Sequence, residues 1–250
     1  MTTSVSILDV RTDDVTYAET IDFIAATIAA RVPRQITTVN TEFIMAAQTD
    51  AAFRDVLNSS ALNPPDGIGV VWAARWLGHS LRERVAGSDL VPLIARRASE
   101  MGWKVYLLGA AEGVAQKTAE ILRARYPGFT CAGTYGGSPG IEEEASIVDH
   151  IRDSAPDVLL VAYGAPAQDK WIARNLARLN VPVCMGVGGS FDYIAGVMPR
   201  APKWMQRLGL EWLYRLIRQP WRWRRMLALP RFAWKVCATA LRPAPPARRS

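Results

Sequence analysis

Histidine and cysteine are scarce in this 250-residue chain, which has only His79, His150, Cys131, Cys184 and Cys237. The cysteines are far apart and outside any CxxC pair, so neither a disulfide framework nor a cysteine zinc site is expected, and a reducing compartment fits. With no His pair and no DxD pair, a zinc centre, a Ser/His site or a carboxylate-held metal has little to be built from. Neither a metal nor a cofactor is expected. GxGxxG and GxxxxGK[ST] are both missing, so the two commonest glycine-rich phosphate signatures are unused. No apolar run approaches the roughly 20 residues of a spanning helix, and the start, MTTSVSILDVRTDD, lacks the basic-then-apolar order of a secretion signal. A cytoplasmic location is expected.

Acidic residues are nearly absent from the C-terminal fifth. Residues 200–250 carry 13 Lys/Arg against Glu211 alone, whereas residues 1–199 carry 17 against 22 acidic residues. The basic character is therefore a property of one segment, which also holds five of the nine tryptophans. Arg215, Arg218, Arg222 and Arg225 are spaced 3, 4 and 3 apart and share one helical face. Trp212, Leu213, Leu216, Ile217, Trp223 and Leu227 lie opposite, with Pro220 interrupting the register. Such a segment can place aromatics at a lipid headgroup boundary and arginines on phosphates. Five arginines at about 1 kcal/mol each give roughly 5 kcal/mol on an anionic leaflet.

What is present upstream is βα alternation. SVSILDV reads as a strand, and TYAETIDFIAATIAAR as a helix with Thr16 and Glu19 in capping-box spacing. The strands RQITTVN, WKVYLLG, PDVLLVAYG and VPVCMGVG alternate with helical patterns, one of which, SDLVPLIARRASEMG, offers Ser88 as a cap. Strands this uniformly apolar suit an α/β fold with a Rossmann-like, mostly parallel sheet flanked by helices. The expected divisions are an α/β body over 1–198, a basic, aromatic helical appendage over 199–240, and a disordered tail over 241–250. Because the strand and helix pattern is complete by residue 198, a body cut there is expected to fold.

In such sheets ligands sit beyond the carboxyl ends of the strands. There lie Thr38, Asn40, Asp66, Gly109, Gln168, Gly188, Gly189 and Asp192. Glycines after strands admit backbone amides to a phosphate or serve turn geometry alone. In NPPDG, two prolines and a turning glycine hold Asp66 at a rigid position, which suits a general base; a plain turn or helix cap is the competing reading.

The segments TTVNTEF, NPPDGIGVVWAARWLG, ERVAGSDL, VYLLGAAEGV, YGAPAQDKWI, GVGGSFDYIAGVMPRAPKWMQRLGLEWLYRL and QPWRWRRM resemble, in order and spacing, the WecG/TagA/CpsF family of bacterial glycosyltransferases. That resemblance implies an inverting, metal-independent transfer from a UDP-sugar to a polyprenyl-diphosphate-linked saccharide at the cytoplasmic face of the membrane, in cell-surface polysaccharide synthesis. It makes Asp66 the base, with Thr38 and Asn40 beside it, Arg84 near the diphosphate, and Gln168 the glutamine of the family's PxQE. The usual PKQE reads PAQD here, with Ala167 and Asp169, which puts donor preference in question. Arg215, Arg222 and Arg225 are expected to reach the departing diphosphate. The expected partners are the two substrates and an anionic membrane surface, not nucleic acid; homo-oligomerisation stays open. A nucleic-acid-binding module and an atypical dinucleotide-dependent oxidoreductase are the alternatives.

Overall fold

Alternating strands and helices build the body in sequence order. They are β1 (Ser4–Ile7), β2 (Val10–Asp13), α1 (Tyr17–Ala30), β3 (Arg34–Ile36), α2 (Thr41–Ala47), α3 (Ala51–Ser59), α4 (Ile68–Trp76), α5 (Gly87–Met101), β4 (Lys104–Gly109), α6 (Val114–Arg125), β5 (Thr130–Tyr135), α7 (Glu144–Ser154), β6 (Val158–Ala162), α8 (Ala167–Leu179), β7 (Val183–Gly186) and α9 (Ser190–Ile194). Then follow α10 (Lys203–Arg207), α11 (Glu211–Arg218), a 3-10 turn (Pro220–Arg222), α12 (Trp223–Met226) and α13 (Ala228–Ala240). This computed structural model describes residues 3–241 without the side chains of Arg207 and Arg222, so residues 242–250 of the expected tail lie outside the described residues.

The main sheet has five strands in the order β3-β7-β6-β4-β5, every pair parallel, as the apolar strands imply. Side chains of one strand alternate between its faces. Val105, Leu107, Val158 and Leu160 therefore pack under α1, α5 and α6, while Tyr106, Leu108, Leu159 and Val161 pack under α7 and α8. The parallel α/β architecture with helices on both faces is thus established.

Two local features depart from the sequence reading. SVSILDV does not join the sheet: β1 turns at Leu8 and Asp9, whose φ values of 49° and 65° suit a two-residue hairpin, and pairs antiparallel with β2. Ser88 caps nothing. Helix α5 begins two residues earlier than that cap implies, at Gly87, and the Gly87 N–H donates to Asp66 Oδ2 at 3.2 Å. The interruption expected at Pro220 is there: the proline lacks an amide hydrogen, and the chain breaks at Gln219 between α11 and the 3-10 turn.

The appendage shares a core with the body. Helix α13 packs on α2 and α4, and its Phe232 and Val236 are buried among Val39, Phe43, Phe53 and Val70.

Candidate active site

A cleft of about 710 Å³ opens beyond the carboxyl ends of β3, β6 and β7, and α11 and α12 contribute to its lining. Asp66 lies on its lining, held by the segment before it. Residues 62–65 run beside the end of β3: Leu62 O accepts from Thr37 N at 3.0 Å, Pro64 O accepts from Val39 N at 2.8 Å, and Asp66 N donates to Val39 O at 2.7 Å. Pro64 and Pro65 need no amide partners, so this stretch can dock as a half-bonded edge.

At the amino end of α5 the Asp66 carboxylate meets an N–H and the positive end of the helix dipole. Desolvation nevertheless dominates and pushes its pKa up to about 6, against the lowering by the Gly87 amide and the Arg84 charge. Nearby Glu211 and Asp89 push in the same upward direction as burial. A carboxylate poised there can accept a proton near neutral pH.

Arg84 lines the same cleft and belongs to a ring of four charges. Its guanidinium donates to Glu211 Oε2 at 2.9 Å and stands 3.8 Å from Asp89 Oδ2; Arg200 pairs with Asp89 at 2.5 Å and with Glu211 at 3.3 Å. Burial works against the Asp89 charge, but Arg200 outweighs it and holds that carboxyl below its ordinary range. Tyr17 ties the ring to α1, since its hydroxyl donates to Asp89 Oδ2 and accepts from Ala86 N. Sequence reasoning missed Tyr17, Asp89, Arg200 and Glu211. One signal was available: a single acidic residue in a segment of thirteen cations needs a buried or paired position.

Gln168 is almost fully buried, and its Oε1 accepts from both Gly164 N and Gly188 N at 3.0 Å. It thereby fixes two loops on the cleft lining from beneath. Its neighbour Asp169 is wholly buried, which pushes its pKa to about 7. Any side chain at Gly186 would overlap both residues. Gly188, at φ +50°, occupies the left-handed region, and Gly189 leaves room for the Arg215 guanidinium.

Of the other expected site residues, Thr38, Asn40 and Asp192 line the cleft. Asn40 also caps α2 by accepting from Phe43 N at 3.0 Å. Arg215 reaches in from α11 with its guanidinium 4.9 Å from the Tyr193 ring centre, and Arg225 reaches in from α12 and pairs with Glu42 at 3.5 Å. The Arg222 side chain lies outside the described residues. Gly109 stands apart: it is not on the lining, and at φ +95° it packs so tightly on Ala162 that a Cβ would come within 2.9 Å of that carbonyl carbon. Its role here is close strand-end packing. Among the described residues, no group of three or more His, Cys, Asp and Glu side chains is arranged to hold a metal.

The profile of the Glycosyl transferase WecG/TagA/CpsF family matches residues 5–245. The chain belongs to that family. It is 39% identical over 201 residues to the N-acetylglucosaminyldiphosphoundecaprenol N-acetyl-beta-D-mannosaminyltransferase of Bacillus subtilis (strain 168), covering 80% of this chain and 78% of that one. It is 32% identical over 237 residues to the enzyme of the same name from Staphylococcus aureus (strain MW2), covering 94% of this chain and 92% of that one. The protein is therefore a glycosyltransferase, and the nucleic-acid and oxidoreductase alternatives give way.

Proposed function

We propose that the protein transfers a hexose or N-acetylhexosamine from a UDP-sugar to a saccharide carried on polyprenyl diphosphate, inverting the anomeric centre without a metal. The observation that carries the reading is Asp66, a carboxylate with its pKa near 6 on the lining of the cleft. There it takes the proton of the acceptor hydroxyl as that oxygen forms its bond to the anomeric carbon and the carbon–oxygen bond to UDP breaks. Arg215 and Arg225 line the same cleft and would offset the charge left on the departing diphosphate. The relatives' names supply the acceptor class, N-acetylglucosaminyl diphosphoundecaprenol, and a mannosamine-type donor.

We further place the enzyme on the cytoplasmic surface of the membrane. Seven of its nine tryptophans are exposed, only Trp103 and Trp171 being buried, and five of the seven lie on the appendage among its cations. Tryptophan is ordinarily a highly buried residue in soluble domains and concentrates at membrane boundaries. No helix among the described residues is long and apolar enough to cross a bilayer, so the contact would be peripheral. The test is a screen of UDP-sugars against N-acetylglucosaminyl and glucosyl lipid diphosphates, read by mass spectrometry. One disaccharide product from a UDP donor is expected; no transfer from any UDP-sugar would overturn the reading.

A further inference from the structure

Two of the exposed tryptophans are outside the appendage. Trp72 and Trp76, 60% and 63% exposed, both stand on α4, the helix that begins two residues after Asp66. With Ile68 they are spaced four apart, so the three share one face of that helix. The other face, Val70, Val71, Ala73 and Ala74, is buried in the body and accounts for the folding of α4. Folding thus leaves the outward stripe unexplained. A solvated face would carry polar side chains here.

The stripe is also directional. Ile68 lines the cleft beneath Gly209, whose φ of +71° and lack of a side chain let the appendage rest directly on it. Trp72 lines the cleft as well and Trp76 does not. At 1.5 Å per residue, Trp72 lies about 6 Å and Trp76 about 12 Å along the axis from Ile68. An apolar track therefore leaves the reaction site and runs outward over two turns, with Arg75 exposed beside it.

We infer that Ile68, Trp72 and Trp76 seat the first isoprene units of the acceptor's lipid chain as it leaves the cleft. This rests on the proposed reaction, in which the acceptor's sugar sits at Asp66 and its diphosphate and hydrocarbon must follow in that order. A stripe that begins at the base and becomes exposed a few ångströms away matches that order. A bilayer contact alone would not require Trp72 to line the reaction cleft.

The experiment compares N-acetylglucosaminyl diphosphate acceptors bearing a polyprenyl chain, in mixed micelles, with ones bearing a short alkyl group, using the donor from the screen. The wild type is expected to prefer the long chain in kcat/KM, and Trp72→Ser/Trp76→Ser to reduce that preference at least tenfold, mainly through KM. Trp72→Phe/Trp76→Phe, which keeps apolar area, should retain most of it. The inference is overturned if the wild type shows no chain-length preference, or if the serine variant loses both acceptors in equal proportion. It is equally overturned if the serine variant changes the oligomeric mass in sedimentation, or binding to acceptor-free vesicles, while the preference stands. No transfer to either acceptor by the wild type would instead sink the proposed reaction itself.

Discussion

Asn in place of Asp66 should make the protein more stable at neutral pH and nearly inactive, two effects that a merely structural aspartate would not combine. Asn keeps an oxygen for the Gly87 N–H and removes the charge. In the folded protein burial raises the Asp66 pKa from 3.8 to about 6, so the folded state binds this proton more tightly than the unfolded chain does. Stability linked to that proton is complete below pH 4 and is lost as pH rises through about 6. Two units at 1.36 kcal/mol each set an upper bound of about 3 kcal/mol, reduced because the carboxyl faces cleft water. At roughly 2 to 4 °C per kcal/mol for a chain of this size, Asp66→Asn should melt several degrees above the wild type at pH 7.5. The two melting curves should converge near pH 4. Turnover should fall by about 10²- to 10⁴-fold, and wild-type kcat/KM should decline below about pH 6. Thermal melts across pH and a steady-state assay read both. A variant that melts lower at pH 7.5, or one with near-normal turnover, would refute the assignment of Asp66 as a desolvated base.

Glu211→Gln leaves Arg84 and Arg200 to share Asp89; a loss of about 1 to 3 kcal/mol in urea unfolding is expected, with a fall in kcat/KM. Unchanged values for both would show that the ring is incidental. Activity should survive EDTA, and loss restored by manganese or magnesium would show that a metal takes part. Cutting the chain after residue 198 removes Phe232 and Val236 from the core beneath α2 and α4, so the body should unfold at lower urea than the full chain. Burial lost at the phenylalanine alone is worth roughly 3 to 5 kcal/mol, and an unshifted urea midpoint would contradict the shared core.

The parallel sheet was legible because its strands are buried on both faces, and continuous runs such as Val158–Ala162 have no other economical use. The hairpin was not. SVSILDV reads as one strand because its turn residues are Leu8 and Asp9 rather than the Asn-Gly pair that marks such turns. Ser88 misled for a related reason: the α5 terminus is satisfied from a distance, by a carboxylate 21 residues upstream, and the local search for a cap cannot find it.

The same limit explains the site. Asp66, set by local backbone geometry after two prolines, was found from the chain itself, and Gln168 was found through the family resemblance. Those set by charge balance across the fold were not: Asp89 comes from α5, Arg200 from the turn after α9, Glu211 from α11 and Tyr17 from α1. Tyr17, Asp89 and Arg200 look like ordinary surface residues in their own segments, and only Glu211, alone among cations, stood out. Together they join the appendage to the body at Arg84, which is held by Glu211 and whose charge lowers the Asp66 pKa. A change in the seating of α11 would move Glu211 relative to Arg84 and so alter two of the lesser contributions to the Asp66 proton affinity, which burial dominates. The appendage bears on the base through these charges, as a modulation of the upward push that burial supplies.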